Sequence, residues 1–133
     1  MRWPWSYCGV GVAYSILIVD QRPTAVARLA KPLAGAGYAV TTATTFEAAR
    51  ERLAAQPPDL LIAAERLGLF NGLQLVLRGR FDHPEMAAIV TADANDPVLQ
   101  AEARSFGAAC AVAPISASEL LSLVSRTFAI RPM

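Results

Sequence analysis

The sequence predicts one doubly wound α/β domain: a five-stranded parallel sheet in the order 2-1-3-4-5 with helices on both faces. Three observations carry that expectation. From Tyr14 onward, short β-branched or aliphatic runs alternate with stretches of helical period, the pattern of a parallel sheet covered on both sides. The first run, Ser15 to Val19, is uninterrupted instead of alternating, as strands buried on both faces are. Helix-start residues and glycine or proline stops fall between them, and right-handed crossovers then leave few other strand orders.

Ser15 to Val19 is the first strand, with Asp20 at its carboxyl end. Pro23, a good first-turn residue, opens a helix to Ala34 with Val26, Leu29, Ala30 and Leu33 on one face. Pro32 inside it removes a hydrogen bond, so a kink or an early end is expected before the Gly35 to Gly37 stop. Tyr38 to Thr42 is the second strand. Thr44-Thr45-Phe46-Glu47 reads as a capping box for a helix that Pro57-Pro58 stops. Asp59 to Ala64 is the third strand and Gly72 to about Gly79 the third helix. Ala87 to Val90 is the fourth strand, ending at Thr91; Asp96-Pro97 then caps a helix that reaches Phe106 and is halted by Gly107. Ala109 to Val112 is the fifth strand. Ser116-Ala117-Ser118-Glu119 is a capping box for a last helix through Phe128, with Leu120, Leu121, Leu123, Val124 and Phe128 on its buried side.

With 133 residues the chain fits one domain, and 54% apolar against 17% charged residues rules out disorder. A net charge of +1 with scattered arginines gives no field for nucleic acid or an anionic membrane. Cys8 and Cys110 lie far apart in no metal-ligand spacing, which suits free thiols in a reducing cytoplasm. Residues 1–13 contain Trp3-Pro4-Trp5 and two glycines, with one basic residue and too short an apolar run to span a bilayer. They read as a disordered or loosely packed extension and not as a signal sequence. The domain proper is expected over 14–128, with 129–133 a tail.

Four segments resemble the receiver domain of bacterial response regulators. Ile16-Leu17-Ile18-Val19-Asp20 is similar to its opening strand, and Pro58-Asp59-Leu60-Leu61-Ile62-Ala63-Ala64 through Gly72 to its third strand and following loop. Ile89-Val90-Thr91-Ala92 is similar to its fourth strand, and Gly107-Ala108 leading to Ala113-Pro114 to its fifth. The resemblance covers Tyr14 to Phe128 and implies a flavodoxin-like receiver fold, with a cis Ala113-Pro114 bond. It also marks departures. Counting from Pro58 or back from Gly72, the phosphate-accepting aspartate of the family falls on Ala64. The second acidic metal ligand is Gln21, and the lysine before the proline is Ala113; Asp20 keeps one acidic position and Thr91 matches the switch hydroxyl. Cys110 or Ala111 stands for the switch aromatic, and neither is aromatic.

One carboxylate is a poor magnesium site, so no Mg²⁺, metal or other cofactor is expected and no catalytic residue is assigned. Asp20 has a local alternative as a cap for the first helix. Glu65 is expected to point to solvent, because neighbouring strand residues face opposite ways, although a one-residue shift would let it mimic a phosphorylated state. His83 reads as a surface residue. No phosphate-binding loop, dinucleotide motif or nucleophile elbow is present. The expected function is a phosphorylation-independent receiver, not an enzyme, acting in the cytoplasm on a protein partner or as a homodimer. By the resemblance its face would be the fourth helix, fifth strand and fifth helix, or the first and fifth helices, with Val98, Leu99, Phe106 and Leu121 among the residues. The alternative is a small-ligand-binding or enzymatic domain using the crevice at the carboxyl ends of the strands.

Overall fold

The computed structural model describes residues 13–130. Five strands, β1 (Ser15–Val19), β2 (Ala39–Ala43), β3 (Leu60–Ala64), β4 (Ala87–Ala92) and β5 (Ala109–Val112), form one sheet in the order β2-β1-β3-β4-β5 with every pair parallel. This is the 2-1-3-4-5 order the sequence predicts. The connecting helices are α1 (Pro23–Gly35), α2 (Phe46–Ala55), α3 (Gly72–Asp82), α4 (Pro97–Ser105) and α5 (Ala117–Ile130).

Successive strand side chains point to opposite faces, and this divides the core in two. Ile16, Ile18, Leu60, Ile62 and Ile89 pack with Val26, Leu29 and Leu33 of α1 and Leu120 and Val124 of α5. On the other face Leu17, Val19, Leu61 and Val90 pack with Leu53 of α2, Leu75 and Val76 of α3 and Leu99 of α4. At the amino-terminal side of β1, the ring of Phe128 stacks on Tyr14 at 4.5 Å and lies 5.8 Å from Tyr38, so α5 is fastened to the start of β1 and β2.

Most element ends fall within a residue or two of expectation, the usual scatter of such boundaries. The informative differences have causes. Pro32 does not end α1, which continues to Gly35. The proline's cost of about 3 kcal/mol is opposed by burial of its neighbour Leu33, which is fully enclosed in the core and worth about 1.5–3 kcal/mol. The N-cap of α2 is Thr45, not Thr44; its hydroxyl accepts the Ala48 N–H at 3.1 Å, so the expected pairing with Glu47 does not form. Helix α3 passes through Gly79 to Asp82. That glycine is a packing residue, since a Cβ there would meet Cε of Met86 at 2.6 Å. Helix α5 reaches Ile130, two residues beyond expectation.

The capping box at Ser116 is formed: its hydroxyl accepts the Glu119 N–H at 3.2 Å, and Glu119 accepts the Ser116 N–H at 3.2 Å. Bonds from the Ser116 N–H and then from its hydroxyl hold the Glu119 carboxyl below the usual carboxylate range, so their contribution is present above the ordinary value and is lost as pH falls through the lowered one. The Ala113-Pro114 peptide is cis, as the resemblance implies. The expected extension over 1–13 lies outside the described residues except for Ala13, as do the last three residues of the tail.

Candidate functional site

The loops at the carboxyl ends of β1, β3, β4 and β5 enclose two adjoining cavities, where open α/β sheets bind their ligands. One, of about 350 Å³, includes Asp20, Thr91, Ala113 and Pro114 in its lining. The other, of about 450 Å³, includes Gln21, Ala64, Glu65 and Thr91. The six residues that the sequence assigns to a vestigial pocket are therefore brought together around this double crevice.

Each is placed by the backbone beneath it. Asp20 directly follows β1, where its N–H donates to Ala43 at 3.2 Å, and it is buried, 3% exposed. Its carboxylate accepts the N–H of Arg22, the residue before α1, at 2.9 Å, and it does not cap the first turn of the helix, which has no side-chain cap. It also takes the Arg22 guanidinium, Nε at 3.3 Å and Nη2 at 3.4 Å. The same Nη2 donates to Asp93, beyond β4, at 3.1 Å. Hydrogen bonding and charge from Asp20, then from Asp93, raise the Arg22 pKa above its already high ordinary value. A fixed cation thus stands between the two carboxylates.

Gln21 holds the neighbouring loop instead, its Oε1 accepting the Gly68 N–H at 2.8 Å. Gly68, at φ 64°, turns a short antiparallel hairpin of Arg66–Leu67 and Phe70–Asn71, which the sequence does not predict. Ala64 ends β3 opposite Thr91 of β4 and is 5% exposed. Glu65 donates its N–H to Thr91 O and accepts the Gly72 N–H at its carbonyl, both at 2.8 Å.

Glu65, half-buried, borders the crevice beside Ala64 and Thr91 and also the open groove along the hairpin. Thr91 is 9% exposed, and its hydroxyl has no hydrogen-bond partner among the described residues. A buried hydroxyl left in that condition costs about 1–3 kcal/mol. Cys110 packs against the α2–α4 side of the sheet and Ala111 against the α1–α5 side. Burial first, then Glu65 and Asp96, push the Cys110 thiol pKa up, so it stays protonated and unreactive.

Of the expected interaction face, Val98 is 70% exposed but Leu99 is 3% exposed and belongs to the core. The reason is helical period: Leu99 shares the inner face of α4 with Ala103, and both are buried. Phe106 and Leu121 are half-buried against the two core layers. His83 is half-buried in its loop, donating its N–H to Gly79 O at 2.7 Å. Sequence reasoning missed Arg22 and Asp93, which lie 71 positions apart. The available signal was an arginine two residues past the strand-end acid.

The family model for the response regulator receiver domain matches residues 16–125. No curated protein matches the chain. Among solved structures, a CheY-like receiver domain protein from Methanospirillum hungatei JF-1 superposes with a TM-score of 0.82 at 19% identity, covering 89% of this chain and 95% of that one. A response-regulator structure from Chloroflexus aurantiacus J-10-fl gives a TM-score of 0.80 at 28% identity, covering 89% of this chain and 99% of that one. The chemotaxis protein CheY4 of Vibrio cholerae gives 0.78 at 22% identity, covering 87% and 99%.

Proposed function

Because the chain belongs to the response regulator receiver domain family, we propose that it is a receiver that signals without being phosphorylated, through contact with a protein partner or a second copy of itself. The observation that carries this reading is Ala64 at the carboxyl end of β3, facing Thr91 across the ladder. A methyl group cannot attack a phosphoryl donor. The remaining residues do not fit a divalent cation either. Asp20 and Asp93 are held by the Arg22 guanidinium, Gln21 Oε1 is taken by Gly68, and Ala64 offers no side-chain oxygen where Mg²⁺ requires several. Ala113 supplies no charge to stabilise a transferred phosphoryl group. On this reading the domain is not an enzyme and works in the cytoplasm; among the described residues, no helix is long and apolar enough to cross a membrane.

Incubation with acetyl phosphate or a phosphoramidate and Mg²⁺ is expected to leave the intact mass unchanged, and beryllofluoride is expected not to bind. A gain of one phosphoryl mass that hydroxylamine removes would sink the proposal. Ala64→Asp alone is also expected to fail, because Arg22, Gln21 and Ala113 remain.

For the contact surface, Val98 of α4 and Val112 of the edge strand β5 are 70% and 39% exposed, an apolar pair beside an unpaired strand edge. Light scattering over a concentration series should show self-association, or a pull-down should recover a partner, and Val98→Glu should weaken either. A strict monomer with no partner would count against an interaction module.

A further inference from the structure

We propose that the cavity of about 350 Å³ between the start of α1 and the Ala113–Ile115 turn binds a phosphate group non-covalently, as free phosphate or as a small-molecule monoester. The inference is independent of the interaction surface proposed above. It rests on hydrogen-bond donors that converge on one space and have nothing to donate to.

Thr91 lines the cavity and is buried, and its hydroxyl is unpartnered among the described residues. Helix α1 supplies the second group of donors. It is 13 residues long, its N-cap Arg22 makes no side-chain cap, and its first turn holds no acid. The Thr24 and Ala25 N–H groups therefore have no partner among the described residues, and both residues line the cavity. An uncapped helix start carries partial positive charge that favours an anion. Arg28 lines the same wall and forms no ion pair among the described residues.

Charge sets the kind of anion. Asp20 and Asp93 are engaged by Arg22, so these three groups with Arg28 sum to zero formal charge, and a polyphosphate would meet uncompensated repulsion from the two acids. A single phosphate needs only the donors named. The volume exceeds that of bare phosphate and lies in the range of small-ligand sites, and Leu29 and Ile115 add apolar wall for an organic portion. With Ala113 at the turn, no long side chain fills the space.

The test is an NMR titration of the ¹⁵N-labelled full chain with sodium phosphate, with glycerol 3-phosphate, and with sodium chloride at matched ionic strength. Saturable shifts of the Thr24, Ala25 and Thr91 amides with either phosphate, absent with chloride, are expected. Tighter binding of glycerol 3-phosphate would assign the cavity to a monoester, and equal binding to the free ion. Thr91→Val, which keeps the side-chain shape, should weaken binding about tenfold, as the loss of one charge-assisted hydrogen bond does, and Arg28→Gln should weaken it severalfold. An unchanged intact mass throughout separates this binding from phosphoryl transfer. Absence of saturable shifts, equal shifts with chloride, or undiminished affinity in Thr91→Val would each overturn the proposal.

Discussion

Replacing Gly72 with alanine should cost this fold about 3 kcal/mol or more, at the upper end of overpacking penalties. A Cβ at that position would overlap the carbonyl oxygen of Ala64 and approach Cβ of Ala63 at 3.3 Å. The main obstacle is backbone, so no rotamer change relieves it. Relief requires α3 to move away from β3, which would stretch the Gly72 N–H bond to Glu65 O, now 2.8 Å, and unpack the enclosed Leu75 and Val76. Gly79→Ala is the internal control, because its added methyl meets the flexible end of Met86 and should cost less. Urea denaturation of both variants checks the difference. Equal, small losses would show that α3 slides freely and that Gly72 is not what fixes the crevice wall.

The same close approach explains why the third strand and its loop were legible in the sequence. The spacing from Pro58 through Ala64 to Gly72 is set by backbone geometry, so it is readable whatever side chain stands at position 64. Strand runs such as Ser15–Val19 and Leu60–Ala64 were legible for a related reason: burial on both faces demands uninterrupted apolar residues. Where local signals competed, the sequence misled. At the residue pair 44–45 two threonines offer the same cap, yet Thr45 and not Thr44 accepts the Ala48 N–H at 3.1 Å. Gly79 reads as a stop because its contact, Met86, lies beyond the helix and is invisible to a local window. Leu99 was assigned to a surface by its element instead of by its position on the helix. Ala64, Gln21 and Ala113 could be singled out from spacing alone, and Arg22 could not. Arg22 acquires meaning only when β1 and β4 lie with one strand between them and bring Asp20 and Asp93 to one guanidinium.

That contact leads to the second large effect. Arg22→Ala should destabilise the protein by about 1–2 kcal/mol. Breaking a fully buried ion pair by removing one partner costs about 3–5 kcal/mol, but Arg22 is 51% exposed, so solvent already screens part of its field. What remains is the charge of Asp20, buried with only the residue-22 backbone N–H to answer it. Asp93, exposed on the far side of the guanidinium, should lose little. Asp20→Asn in the Arg22→Ala background should then recover most of the loss, giving a coupling energy of about 1 kcal/mol in a double-mutant cycle, within the range for residues in contact. A neutral Arg22→Ala, or a double variant no better than the single one, would mean that water satisfies Asp20 and that the arginine is ornamental to the crevice. If the coupling is found, the acid retained at position 20 owes its place to Arg22 and the entry of α1. Engineering a phosphorylatable site would then require removing Arg22 and supplying an acid at position 21 and a cation at 113, as well as restoring Asp at 64.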